Sequence, residues 1–307
     1  MTRLPADLVA TLAAVVDEGS LEAASHRLHI TASAVSQRLR ALEQAVGRVL
    51  LVRSKPVRPT DAALPILRYA RQLALLEHDA LDGLGIGVGG AEGADAAAAA
   101  ATRVSVPLAV NADSLATWFL APLARAARRH PVVFDLHRDD QDFTAGLLES
   151  GTVMGAVTSR ADAVAGCRAS PLGVLRYEAV ATPEVMATWF AGGVDPAALA
   201  AAPLIDFDRR DDLQTRWLRA QGADPAAPPR HRVPASHDFA AAVEAGLGWA
   251  LLPRLQSAAA LASGALVPLG GAPVDVALYW QQWNLRSPLL DAVADEIIAE
   301  GRRVLEG

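Results

Sequence analysis

The sequence predicts an α/β protein in two parts: a small, mostly helical N-terminal head and a larger α/β unit of two lobes. Three observations carry that expectation. Up to about residue 84 apolar residues recur at helical spacing, interrupted once by two short β-like runs. Beyond Arg103 short β-branched runs alternate with helical ones, the pattern of a mostly parallel sheet covered by helices. Between the two, Gly83 to Thr102 is rich first in Gly and then in Ala, as a linker is. The expected division is a head over residues 1–59, a pairing helix and linker over 60–102, and the α/β unit over 103–307. Its first lobe takes about 103–181 and 269–307, its second about 182–268.

In the head, Ala6 to Glu18 reads as a helix with Leu8, Leu12, Val15 and Val16 inward, stopped by Gly19. Ser20 can cap a second helix running to Leu28, in which Ala23 and Ala24 allow close packing; His29 and Ile30 supply a turn. Thr31 can cap a third helix, whose Val35, Leu39, Leu42 and Val46 form one apolar stripe. The other face carries Ser33, Ser36, Gln37 and Arg40, with Ala34 beside them. Small residues near a helix N-terminus admit close approach to a major groove, and Gln and Arg reach base edges or phosphates. Such a face also suits plain solvation, so the helix-turn-helix arrangement around it carries the argument. After Gly47, R-V-L-L-V-R-S-K-P-V-R-P-T reads as a β-hairpin wing with Arg53, Lys55 and Arg58 as candidate phosphate contacts.

From Thr60 to Leu84, Leu67, Ala70, Leu73, Ala74, Leu76, Ala80 and Leu84 give a helix more apolar surface than it can bury alone, which predicts pairing with a second subunit. The G-x-G-x-x-G at Gly85, Gly87 and Gly90 follows no strand and opens no sustained helix, so a dinucleotide loop is not expected. In the α/β unit the expected elements are a strand V-S-V-P-L-A-V, a helix from Ser114 to Arg129, a strand V-V-F-D-L-H, a helix from Phe143 to Leu148 and a strand V-M-G-A-V-T. P-L-I-D-F, R-H-R-V-P and W-A-L-L-P follow in the second lobe. The strand V-A-L-Y-W-Q and a helix from Leu289 to Leu305 then return to the first.

Charge is uneven along the chain. Residues 1–58 hold eight Arg or Lys against five Asp or Glu, and the rest holds twenty against twenty-nine. The head can therefore meet phosphate while the remainder repels it. The lone cysteine, Cys167, excludes an intrachain disulfide and a thiolate metal cluster built by one chain. No leader-like N-terminus or apolar run of about 18 residues is present, which predicts a cytoplasmic protein without a membrane partner. No H-E-x-x-H, G-x-S-x-G or P-loop appears, and the reading is a non-enzyme.

The run from Asp17 to Glu43, D-E-G-S-L-E-A-A-S-H-R-L-H-I-T-A-S-A-V-S-Q-R-L-R-A-L-E, resembles the winged helix-turn-helix of LysR-type transcriptional regulators nearly position for position. V-N-A-D-S-L-A-T-W-F from Val110 and L-Y-W-Q-Q-W from Leu278 resemble the branch that controls export of lysine and arginine. The resemblance implies a winged helix-turn-helix head and an effector domain of two periplasmic-binding-protein-like α/β lobes. It implies a homodimer, assembling further to a homotetramer, on pseudo-palindromic double-stranded DNA, with RNA polymerase as a further candidate partner, a basic amino acid as effector and no cofactor. Ala63 stands where the family commonly has Gly, and Pro65 is unusual at the helix start, though tolerable there.

Ligands of open α/β sheets sit beyond the carboxyl ends of strands. That places Asn111, Asp113 and Ser114 near an effector carboxylate, with helix capping as the alternative role of Asp113 or Ser114. A basic effector also needs anions: Asp140 after the second strand and Asp206 and Asp212 in the second lobe are the candidates, drawn from a wider set with Asp139, Asp142, Asp208 and Asp238. Thr158, Ser236 and His237 are neutral hydrogen-bond candidates. Trp280 is a candidate stacking partner, with core packing as its alternative. Two other functions fit parts of the chain: a nucleoid-associated or replication-control DNA-binding protein without an effector, and a solute-binding protein.

Overall fold

The computed structural model describes residues 4–52, 54–84, 103–138 and 144–306; the wing residue Arg53, the stretch 85–102 and residues 139–143, Asp140 among them, lie outside the described residues. Helix α1, Ala6–Glu18, ends at Gly19 in the left-handed region, φ 69°. Helix α2, Leu21–Arg27, is capped by Ser20, whose hydroxyl accepts from the Ala23 amide at 3.1 Å. The chain turns through His29, φ 53°, into α3, Ala32–Val46, capped by Thr31 accepting from the Ala34 amide at 3.1 Å. Val35, Leu39 and Leu42 of α3 pack with Leu12, Val15 and Ala24 in one buried cluster. Strand β1, Leu51–Val52, pairs antiparallel with β2, Arg58–Pro59, and forms the wing. Glu43 accepts from the Leu50 amide at 2.8 Å and the Thr60 hydroxyl donates to the Val49 carbonyl at 2.8 Å, which fixes the wing against α3.

After a short 3-10 turn at Asp61–Ala63, helix α4, Leu64–Gly83, buries Ile66, Leu67 and Ala70 in the head. One turn further on, Leu75 is buried in the core of the larger unit. Leu76, Leu81 and Leu84 stay 41%, 42% and 71% exposed, as the apolar excess of this segment predicts.

The larger unit contributes β3 Val104–Val110, β4 Val132–Arg138, β5 Gly155–Thr158, β6 Cys167–Ala181, β7 Leu204–Asp206, β8 Arg230–Arg232, β9 Ala250–Pro253, β10 Val267–Pro268 and β11 Val274–Trp283. Strands β3, β4 and β5 are parallel, as expected. The 15-residue β6 is not legible as a strand, and it runs antiparallel to β9, β10 and β11. The main sheet is therefore mixed rather than mostly parallel. Strands β6 and β11 cross from the β3–β5 side to the β9–β10 side, while β7 and β8 pair in parallel by themselves. The single helix expected over Ser114–Arg129 is two, Ala112–Thr117 and Leu120–Arg129, because Trp118 and Phe119 at the break turn into the core. The C-terminal helix, Pro288–Val304, packs on the helix Leu120–Arg129, where Arg125 pairs with Glu296 at 2.7 Å and Glu300 at 2.8 Å. Among the described residues no helix is long and apolar enough to cross a membrane.

Candidate functional site

Helix α3 buries its apolar stripe and leaves Ser33, Gln37 and Arg40 exposed, with Ala34 and Ser36 half-buried between them. Arg38, on the flank, faces Asp7 of α1 at 3.7 Å and is thereby directed toward the head itself. Lys55 is exposed at the wing turn and Arg58 is exposed on β2. The geometry is that of a helix offered to a groove with a cationic hairpin beside it.

In the larger unit a cleft of about 850 Å³, counted to its open mouth, lies between the two lobes. One wall comes from Asn111 and Asp113 after β3 and Arg138 at the end of β4; the other comes from Phe207, Asp208, Asp211 and Gln214. Tyr177 of the crossing strand β6 also lines it. Asp113 accepts hydrogen bonds from the Tyr177 hydroxyl at 2.7 Å and the Ser236 hydroxyl at 2.8 Å. Burial pushes its carboxyl above the usual carboxylate range, against the opposing effect of these two bonds. Asp211 is pushed up to about 6, first by burial and further by the Asp206 and Asp113 carboxylates, while amides of Leu213 and Phe207 pull the other way. The buried amide oxygens of Asn111 and Gln214 and the buried hydroxyl of Ser114 have no hydrogen-bond partner among the described residues. Carboxylates held at a cost and acceptors left unpaired suit a cationic, hydrogen-bonding ligand.

Two family models divide the chain as this geometry does. Residues 6–64 match the bacterial regulatory helix-turn-helix protein of the lysR family, and residues 103–302 match the LysR substrate binding domain. The chain is a member of the LysR family. This is a family of transcriptional regulators, not of enzymes. Among relatives of this LysR-family regulator, the lysine export transcriptional regulatory protein LysG of Corynebacterium efficiens is 41% identical over 95% of the chain and 96% of the relative. The crystal structure of ArgP from Mycobacterium tuberculosis superposes with a TM-score of 0.82 at 41% identity, covering 99% of this chain and all of that one. Full-length LysG from Corynebacterium glutamicum with bound effector Arg gives 0.74 at 34% identity, with coverage of 99% and 100%.

Not all residues proposed from the regulator's sequence meet in the cleft. Asn111 and Asp113 line it, and Ser236 reaches it through Asp113. Ser114 is buried just behind Asp113, and Thr158 is buried at the end of β5, where its hydroxyl accepts from the Arg160 amide at 3.2 Å. Asp206 is turned away into a pair with Arg230 at 2.6 Å. Asp212 is exposed and faces Arg216 at 3.3 Å, and His237 is exposed outside the lining. Trp280 is 1% exposed in the core: its indole nitrogen donates to Gln282 at 2.7 Å, and its ring fills the space that a Cβ on Gly155 would need. Sequence reasoning missed Arg138, Tyr177, Asp211 and Gln214. The acidic run D-F-D-R-R-D-D was visible, but which carboxylate faces the cleft depends on the ion pairs around it.

The raised Asp211 carboxyl has a measurable consequence. Above pH 6 its charge opposes folding of the empty protein, and the penalty is relieved as pH falls through about 6 toward the unfolded value of 3.8. Urea melts of wild type and Asp211→Asn should show wild type gaining stability relative to the variant between pH 7.5 and 4.5; a constant difference contradicts this environment for Asp211.

Proposed function

We propose that this LysR-family regulator senses lysine or arginine in the interlobe cleft and controls transcription of an amino-acid exporter gene. The observation that carries the reading is the cleft itself, whose carboxylates and amide oxygens without partners among the described residues suit a cation. A relative of the same full-length architecture holds arginine as its bound effector, which supports the same ligand class here. The regulator acts in the cytoplasm on a pseudo-palindromic promoter site, with RNA polymerase as the machinery it influences. Ser33, Ala34, Ser36, Gln37 and Arg40 read or approach bases, and Lys55 and Arg58, with Arg53, hold phosphates. The exposed leucines of α4 supply the seam for a homodimer, and two dimers form the tetramer. Ligand binding biases lobe closure to the extent that it binds one state better than the other, and so changes the spacing of the heads.

A nucleoid protein without an effector has no use for such a cleft, and a solute-binding protein has no use for the head. Calorimetric titration with lysine, arginine and histidine should give heat of binding with lysine or arginine; silence from all three rejects the ligand assignment. For the DNA face, Gln37→Ala should erase about 1–3 kcal/mol of discrimination at one base position, whereas Lys55→Ala should weaken all sequences alike and reduce the salt slope by about 1. Anisotropy titrations over a salt series separate the two, and unchanged base preference in Gln37→Ala refutes the assigned recognition face.

A further inference from the structure

The aspartates of the second lobe are not equivalent. Asp206 pairs with Arg230 at 2.6 Å, Asp208 with Arg210 at 3.6 Å and Asp212 with Arg216 at 3.3 Å. Asp211, among them and on the cleft wall, makes no ion pair among the described residues; its hydrogen bonds come from backbone amides, that of Leu213 at 3.0 Å. Beside it on the same wall stands Gln214, 1% exposed. Its amide nitrogen donates to the Ile205 carbonyl at 3.3 Å, which fixes the group's orientation and leaves its oxygen as an acceptor without a donor among the described residues. A carboxylate without an ion pair and a carbonyl without a donor among the described residues each cost free energy where they stand side by side, and one N–H-bearing cation would relieve both.

The opposite wall has a different make-up. Asn111, 2% exposed, has an amide oxygen without a partner among the described residues, and Asp113 lies two residues on. Parallel pairing of β3 with β4 sets Val110 opposite Arg138, which also lines the cleft and whose guanidinium donates to the Pro234 carbonyl at 3.5 Å. A donor beside two acceptors matches the head of an α-amino acid, which carries its carboxylate and ammonium on one carbon. With the head on that wall, a side-chain cation extends toward Asp211 and Gln214.

We infer that Asp211 and Gln214 determine specificity: the Asp211 carboxylate and the free Gln214 oxygen hold the distal cation of a dibasic α-amino acid whose head sits against Asn111, Asp113 and Arg138. This rests on the reading of the cleft as an amino-acid site. The two residues make separable contributions. Citrulline has nearly the shape of arginine and keeps its terminal N–H donors, but it is neutral; Asp211 therefore distinguishes the two ligands and Gln214 does not.

The test is calorimetric titration of the full chain and its Asp211→Asn and Gln214→Leu variants with arginine and with citrulline, each variant's fold checked by its thermal melt. Asp211→Asn should weaken arginine by about 10- to 100-fold and change citrulline by less than about threefold. Gln214→Leu should weaken both ligands by a similar factor, about 3- to 10-fold. Equal weakening of both ligands by Asp211→Asn, or no effect of Gln214→Leu on either, overturns the subsite assignment alone. Wild-type protein that binds neither arginine nor lysine overturns the amino-acid reading as well.

Discussion

Asp113 takes a hydrogen bond from the Tyr177 hydroxyl on β6 and another from the Ser236 hydroxyl in the second lobe, and on this contact the rest of the larger unit depends. Residues 64 and 123 positions away meet on one carboxylate, which therefore joins the first lobe, the crossing strand and the second lobe. Both partners are neutral. They offset only part of the penalty of taking the charge out of water, as the raised carboxyl reflects. Under the proposed function, a ligand cation in the cleft would stabilise that charge and, across the gap, the charge of Asp211. The proposed binding and the lobe position would in this way be coupled by electrostatics at short range, in a setting where water screens little.

The signal also needs a route out of the lobes, and α4 provides a physical connection. Arg71 of α4 donates to the Gly151 carbonyl in the first lobe and pairs with Asp17 of α1 in the head at 3.0 Å. One turn earlier, the Arg68 guanidinium lies 5.5 Å from the centre of the Trp283 ring at the end of β11. Gly151, φ 71°, lets the two surfaces meet, because a Cβ there would fall 2.8 Å from the Arg68 Cα. Head, helix and first lobe are thus held by specific contacts within one chain.

Legibility in the sequence followed the range of the forces involved. The head is written in local terms: caps at Ser20 and Thr31, a stripe at Val35, Leu39 and Leu42, and glycines at positions 19 and 47 that only need their own backbone to be read. The parallel strands β3 to β5 announce themselves by apolar runs. Strand β6 does not, because Gly173 and two arginines interrupt its pattern and its register is set by β11 a hundred residues away. The cleft was half legible. Asn111 and Asp113 follow from the rule that ligands sit beyond strand ends, whereas Asp206 looks equivalent to Asp211 until Arg230, 24 residues on, claims it. Trp280 fits an aromatic platform in sequence and a core residue in space, since Gly155 leaves a hole of its shape. Partners distant in the chain decided each of these cases.

In the proposed mechanism one cationic ligand in the cleft resets the relation between lobes and DNA-reading heads. Its most direct test is a nuclease footprint of the full-length protein on its own promoter region, with and without saturating arginine or lysine. A protected region that changes in length or develops altered cleavage between half-sites on ligand addition is the predicted result. Identical footprints in the presence of a ligand shown to occupy the cleft contradict it.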